Sequence, residues 1–507
     1  MTSSLRRRAR LAAAVCALSL AVHAKGLRAP LLDYHYHRQV NTAAIARNYW
    51  REDRPLLRPR IDWAGPEDRL AATELPVEMW LHGKLWPLFG LGEAWGRVLS
   101  VAASALTALL LFLLFERELG TEAGFYGAAL FTVLPVEIYF GRTVQPEAAA
   151  LLFFVCALYF WDRALQPGRS WSAWLAATLS AFLSIGLKLP YAHVFIPLAA
   201  LSWRRLGRAA WKDARTWAAG LVATGGVLAW YVYASRGVYV VPTHANEFAI
   251  LLGYREMPHF FTFLVLSRFP ELIATYAGLV FFFLGAREIL LRRRDAFFLA
   301  WLGGSFVHLL ALGKYGQVHE YTCLPLAAGV AGVMGEGLRI LFEKARAAAP
   351  EKRAWAAAGV ALLVAAVPVH AALRIGHWYR QGFEYAARAG EAAAAVSRPG
   401  DLFLTNSMAP SMLLYYLDRR GWSEEFSTWP GDPDAMIEGY RRQGARFIAS
   451  EKKGAFAEPD GLMWRKFRAQ GAPLWDDGSL VIFPLAPKKE GSGFDLLTYS
   501  QNGRQTE

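Results

Sequence analysis

Between Val98 and Phe115 the chain carries no charged side chain over about five helical turns. Comparable blocks run from Trp171 to Leu187, Trp217 to Tyr233, Leu272 to Leu284, Ala296 to Leu312 and Trp355 to Leu373. A soluble fold has little use for that many uncharged blocks of this length, so lipid is their expected solvent. The composition agrees: 54% of the 507 residues are hydrophobic and only 19% are charged. A formal net charge of +13 raises the question of nucleic acid. The Lys and Arg residues, however, fall in short loops between the apolar blocks and form no basic face, so no nucleic-acid partner is expected. Cys16, Cys156 and Cys323 each lie in or beside an apolar block, which argues for small buried hydrophobes and against a disulfide framework.

The first block follows Arg6, Arg7, Arg8 and Arg10 and ends near Val22-His23-Ala24, the form of a signal peptide with cleavage after Ala24. Lys25 to Leu32 can lengthen it to a full span, and an uncleaved first transmembrane helix is the favoured reading. Either way Asp33 emerges on the outer side. Counting spans at residues 11–31, 97–115, 123–140, 147–163, 171–187, 190–204, 215–233, 270–290, 296–312, 321–342 and 355–373 gives about eleven. With the N-terminus inside, the inner loops then hold Arg163 and Arg169, Arg204 to Arg215, Arg292 to Arg294, and Lys344 to Arg353, as the positive-inside rule requires. The expected fold class is an α-helical polytopic membrane protein. Residues 1–375 form its transmembrane domain with a long first outer loop at about 32–96, 376–487 a soluble extracytoplasmic α/β domain, and 488–507 a disordered tail. Strands are expected at Asp401–Thr405, Ala445–Ala449 and Ser479–Phe483, and helices at Pro410–Arg419 and Met436–Gln443. That segment has no glycine-rich phosphate loop, metal-ligand spacing or nucleophile elbow, so catalysis is not expected there.

The unusual polar residues segregate to the outer loops, which implies one site at the outer membrane boundary. Asp33-Tyr-His-Tyr-His-Arg-Gln39 puts a carboxylate, two histidines and an arginine directly after the first span. Alone, Asp33 reads as a solvated helix end. Beside Arg38 and Arg47, which can bind phosphate, and His35 and His37, which can move a proton or ligate a metal, it becomes the leading catalytic carboxylate. Gln39 to Tyr49 reads as a helix with small Ala43, Ala44 and Ala46 on a packing face. Glu74 to Gly90 mixes Trp80, Leu81 and Trp86 with Glu78, His82 and Lys84 and reads as an interfacial segment, in which Glu74 alone is a site candidate. Arg142, Gln145 and Glu147 lie on the second outer loop, where Glu147 can equally cap a helix. Lys188 and Tyr191 lie between two spans, where the lysine either snorkels or meets a lipid phosphate. His319 and Glu320 lie between two later spans. With Asp33 they offer O and N ligands for a divalent ion, without a fixed spacing such as H-x-x-x-H, so a divalent metal is held open as a cofactor.

In their order and common sidedness, DYHYHRQVNTAAIARNY, ELPVEMWL with LFGLGEAWGRVLS, FGRTVQPEAAALLFF, KLPY and VHEYTCLPLAAG resemble the GT-C membrane glycosyltransferases. The likeness is to the bacterial family 39 branch, similar to protein O-mannosyltransferases and aminoarabinose transferases, and spans about residues 10 to 375. It implies a sugar carried on a polyprenyl phosphate, presented at the outer leaflet of the bacterial inner membrane and moved to a lipid, glycan or protein acceptor. The family's catalytic acid falls on Asp33. The usual second acid beside it is Tyr34 here, which leaves the role of a paired carboxylate open.

The chemistry independently suits the residues: an acceptor hydroxyl or amine needs a base, for which Asp33 stands, and the departing phosphate needs cations. Arg38, Arg142 and Lys188 are the candidates. In-line attack would invert the anomeric centre. A lipid-linked-saccharide transporter or flippase would place charges within its spans and repeat broken helices. An O-antigen ligase or polymerase would concentrate its chemistry in a large late loop, and a non-catalytic scaffold would keep only its C-terminal domain for a partner. Sugar and acceptor depend on pocket shape and are not legible.

Overall fold

Apart from the one at Leu272, the uncharged blocks lie inside single helices: Glu93–Leu119, Trp171–Leu187, Ala214–Ala234, Ala296–Leu312 and Pro350–Ile375. The structure, a computed structural model, describes residues 3–485 except 69, 91, 169, 240–256, 294, 408, 427–432, 454–455 and 457–460. The expected tail at 488–507 and much of the outer loop 235–269 lie outside the described residues. Helices dominate. Among the described residues four are long and apolar enough to cross a membrane, or five if one bent pair counts as a single span; Trp171–Leu187 and Ala296–Leu312 are apolar but shorter.

Of the eleven spans counted from sequence, those at 147–163, 171–187 and 296–312 are unbroken helices of 17 or 18 residues, whereas three others are interrupted. The expected span at 123–140 is split into Thr121–Thr132 and Pro135–Phe140 by Pro135, whose ring cannot continue the preceding helix. The one at 190–204 starts as a 3-10 turn through Pro190 before the helix Phe195–Leu206. The block at Leu272 bends by 111° between Pro258–Ile273, which contains Pro270, and Gly278–Arg292. Thr275 makes that corner at φ 63°, with its hydroxyl accepting from the Gly278 N–H at 3.2 Å. Helix Pro350–Ile375 turns Trp355, Leu362, Val369 and Leu373 outward, an apolar face that suits lipid.

Close helix contact is made by small residues. Gly285 of helix Gly278–Ala286 and Gly337 of helix Leu324–Arg346 face each other so tightly that a Cβ on either would strike the other helix's backbone.

Residues 402–484 contain a five-stranded sheet. We label the short pair β1 (Ala71–Ala72) and β2 (Val238–Tyr239), then β3 (Leu402–Asn406), β4 (Arg420–Glu424), β5 (Ala445–Glu451), β6 (Trp475–Asp476) and β7 (Leu480–Pro484). The sheet order is β4-β3-β5-β7-β6, with β3 parallel to β4 and β5, and β7 antiparallel to β5 and β6. Helices Pro410–Leu417, Pro433–Arg442 and Leu462–Arg468 punctuate the strands.

This segment docks on the helix Tyr36–Arg51 of the first long loop. Arg47 donates to the Tyr415 carbonyl at 2.8 Å and pairs with Asp62 at 2.7 Å, and Arg51 forks onto Asp418 at 2.6 and 2.9 Å. Backbone bonds of 2.8 and 3.0 Å join Gly65 and Asp62 to Gly421. Arg47, read as a phosphate ligand, is thus a brace between the loop and the C-terminal segment.

Gly337→Leu is expected to wedge the two helices apart and cost about 1–3 kcal/mol or more. A lower unfolding midpoint of the detergent-purified protein, with Gly303→Leu as a control where a Cβ meets open space, checks it.

Candidate functional site

The helix Tyr36–Arg51 begins at His35, whose φ of 58° turns the chain sharply out of the first segment. This corner sends Asp33, His35 and Arg38 into three neighbouring buried polar clusters.

The first is built on Asp33, which is 2% exposed. Its Oδ2 accepts from Arg142 Nη2 at 2.6 Å and lies 3.5 Å from Arg97 Nη2, while Gln39 Nε2 donates to Oδ1 at 2.6 Å. Gln39 in turn accepts from the Val144 N–H at 3.3 Å. Arg97, inside helix Glu93–Leu119, also donates to the carbonyls of Ala29 at 2.7 Å and Pro30 at 3.2 Å. Arg142 lies over Tyr379 at 4.4 Å and Tyr139 at 4.9 Å. Sequence reasoning gave Asp33 and Arg142 separate duties as base and phosphate ligand; the structure pairs them with each other.

The second cluster holds Arg38, Glu74, Glu147 and Lys188. Arg38 Nη2 donates to Glu74 Oε1 at 2.6 Å, Lys188 Nζ lies 3.8 Å from the same oxygen, and Lys188 donates to Glu147 Oε1 at 2.6 Å. The local folding is simple. Glu147 opens helix Glu147–Ala164 and Lys188 closes helix Trp171–Leu187, so each charge complements its helix dipole where the two helices meet. Glu74 is brought alongside by the Leu75 N–H, which donates to the Gly186 carbonyl at 2.8 Å. Burial opposes ionisation of Glu74, but Arg38 and Lys188 overcome it and hold the carboxylate down at about 2. Lys188 also lies over the Tyr321 ring at 4.7 Å.

Glu78 is buried next to these charges. Burial, with the charges of Glu147 and Glu74, pushes it up to about 8, so it is mostly protonated at neutral pH. Among the described residues, both oxygens of Glu78, both amide atoms of Gln145, Oε2 of Glu147 and the Tyr191 hydroxyl are buried without a hydrogen-bond partner. Such groups call for a polar ligand or water.

The third cluster centres on Glu320, which accepts from Tyr34 Oη at 3.0 Å, contacts His35 Nε2 at 3.0 Å and lies 3.2 Å from Arg268 Nη1. His319 packs 5.5 Å from His35, 4.0 Å from Tyr315 and 5.1 Å from Tyr321, ring to ring. Burial, with His35, Lys188 and Arg38 nearby, depresses His319 to about 2; burial, with His35 and Arg38, depresses His37 to about 4. Both rings are neutral across physiological pH and do not act as cations.

The proposed metal set is not assembled. Asp33 is committed to arginines and Glu320 to Arg268 and His35, and no group of three or more His, Cys, Asp or Glu among the described residues is placed to hold a metal. Sequence reasoning missed Gln39, Arg97, Glu78 and Arg268. Arg97 had a signal, an arginine at the mouth of an uncharged block; Arg268 had none, because only folding brings its helix to Glu320.

With this geometry in place, residues 73–233 match the family model of dolichyl-phosphate-mannose-protein mannosyltransferases. ArnT from Cupriavidus metallidurans superposes with a TM-score of 0.59 at 14% identity, covering 96% of this chain and 100% of its own. The oligosaccharyltransferase of Archaeoglobus fulgidus superposes with a TM-score of 0.60 at 12% identity, covering 88% of this chain and 69% of its own. The chain has the GT-C fold. The resemblance carried by the ordered loop motifs is thereby borne out. ArnT has also been solved bound to undecaprenyl phosphate, and that form superposes with a TM-score of 0.57 at 15% identity, covering 94% of this chain and 98% of its own. A search of curated proteins finds no matching sequence.

Asp33→Asn should leave Arg142 and Arg97 uncompensated and cost about 3–5 kcal/mol, read as a drop in the unfolding midpoint. Glu78→Gln tests the buried acid by pH. Glu78 binds its proton in the folded state up to about pH 8 but loses it near pH 4.5 when unfolded, so wild-type stability drains away as pH rises through that window. The glutamine variant should gain on wild type steadily from pH 5 to 8; a constant difference across that range contradicts it.

Proposed function

We propose that the protein transfers a sugar from a polyprenyl-phosphate carrier to a hydroxyl or amine of a lipid, glycan or protein acceptor. The carrying observation is that Arg38 and Lys188, from distant parts of the chain, converge on one oxygen of Glu74. That is an anion site occupied by the protein's own carboxylate, in a chain with the GT-C fold. The undecaprenyl phosphate bound by ArnT supports reading that anion as a lipid phosphate.

In this reading the donor phosphate displaces Glu74 from Arg38 and Lys188. The acceptor oxygen or nitrogen attacks the anomeric carbon, the bond from that carbon to the phosphate oxygen breaks, and the two cations stabilise the leaving polyprenyl phosphate. Asp33 takes the acceptor's proton. A carboxylate has about four lone-pair positions, of which the hydrogen bonds from Arg142 and Gln39 occupy two, so Asp33 keeps room for an acceptor N–H or O–H even with Arg97 at 3.5 Å. Gln39 and Arg142 then orient the base, and backside attack inverts the anomeric configuration. The unpartnered Gln145, Glu147 and Tyr191 atoms are suited to sugar hydroxyls. No step requires a divalent ion, so EDTA should not change the rate. The basic loops lie at the helix ends opposite Lys188, which supports a bacterial inner-membrane protein with its N-terminus cytoplasmic and the site and C-terminal segment outside.

Glu74 is a second candidate for the base, favoured by the ion pair that phosphate would release. In proteoliposomes supplied with a radiolabelled polyprenyl-phosphate sugar and native envelope acceptors, Arg38→Ala and Lys188→Ala should each lower kcat/KM by about 10²–10³. Asp33→Asn should abolish transfer per folded molecule while Glu74→Gln retains it; the reverse pattern moves the base to Glu74. Flipping of the labelled donor with no product formed by wild type would instead support a transporter.

A further inference from the structure

Far from the Arg38–Lys188 site lies a cavity of about 720 Å³, within the usual range for ligand pockets of about 300–1,000 Å³. It opens between helices Trp171–Leu187, Phe195–Leu206 and Ala214–Ala234, and its walls are almost wholly apolar, among them Trp161, Ala181, Leu198, Trp211, Trp217 and Gly220. The wall residue Trp161 lies about 21 Å along helix Glu147–Ala164 from Glu147, the partner of Lys188, so the cavity belongs to the opposite end of the bundle. Exposed Trp171, Trp203, Trp211 and Trp217 ring that end, the placement of an aromatic belt at a membrane–water interface.

Cations follow directly in sequence on the lining residues Trp203, Trp211 and their neighbours, and they differ in how they are engaged. Arg204 pairs with Glu118 at 2.7 and 2.9 Å, and Arg205 with Asp162 at 2.8 Å. Asp213 caps the Thr216 N–H at 3.1 Å, Asp295 caps the N–H groups of Phe297 and Phe298, and Arg215 lies over Trp171 at 3.6 Å. The local acids are therefore engaged. Arg208 and Lys212 are exposed and make no ion pair or hydrogen bond among the described residues, and they flank Trp211 on the single 3-10 helix Gly207–Lys212. An apolar chamber under an aromatic collar with two uncommitted cations has the chemistry of an anionic amphiphile.

We infer that this cavity holds an acyl chain of an anionic phospholipid from the leaflet opposite the donor site, with its phosphate on Arg208 and Lys212. The polyprenyl donor is the competing occupant, but its phosphate would have to sit at the far end of the bundle from the cations that the transfer reaction uses.

The test titrates the purified full-length protein with phosphatidylglycerol or phosphatidylcholine and counts retained lipids by native mass spectrometry. Wild type should retain phosphatidylglycerol preferentially, and each of Arg208→Glu and Lys212→Glu should lower that preference at least about fivefold. Gly220→Leu should fill the chamber and lose both lipids, since a Cβ at Gly220 meets nothing within 4 Å. The charge variants lie on the surface and keep the test decisive should Gly220→Leu misfold. Equal retention of the two lipids by wild type, an unchanged preference in both charge variants, or displacement of phosphatidylglycerol by undecaprenyl phosphate would each overturn the assignment.

Discussion

Two guanidinium groups buried side by side are tolerable only with a carboxylate between them, here 2% exposed, to offset their charge. Asp33 supplies it. Through Arg142 it holds the turn after Phe140, through Arg97 it holds the mouth of helix Glu93–Leu119 and the carbonyls of Ala29 and Pro30, and through Gln39 it fixes the first turn of helix Tyr36–Arg51. Those are the segments that aim Arg38 at Glu74 and set His35 against Glu320. Misplacing this one side chain would disturb all three clusters at once.

The second cluster solves a different problem. Two cations brought this close cannot stay bare in a buried site, because desolvation would drive them apart or strip a proton from the lysine. Glu74 and Glu147 answer that charge and keep Arg38 and Lys188 together. The ion pairs thus hold two cations from distant parts of the chain in one fixed geometry. Glu78, protonated beside them, limits the negative charge the pocket must carry.

Much of this was legible in the sequence, and for identifiable reasons. Uncharged blocks report helices reliably, and the grouping of polar loop residues pointed to Asp33, Arg38, Glu74, Glu147, Lys188 and Glu320 before their contacts were visible. Breaks within spans were hidden where Pro135, Pro190 and Pro270 interrupt apolar runs, since hydropathy averages across a break that backbone geometry cannot ignore. The division of labour among charged residues was also hidden. Whether Arg47 meets phosphate or Asp62, and whether Arg142 serves a ligand or Asp33, depends on distances between segments far apart in the chain.

The brace between the first loop and the C-terminal segment has a bearing on timing. Helix Tyr36–Arg51 emerges early in synthesis and can meet Asp62 soon after, yet its supports at Tyr415 and Asp418 are made only when four-fifths of the chain has been translated. Until then the helix that carries Arg38 lacks its outer wall. A half-made chain would therefore hold this helix by the first loop alone, and the segment from Tyr415 to Gly421 completes a brace that residues 36–65 begin.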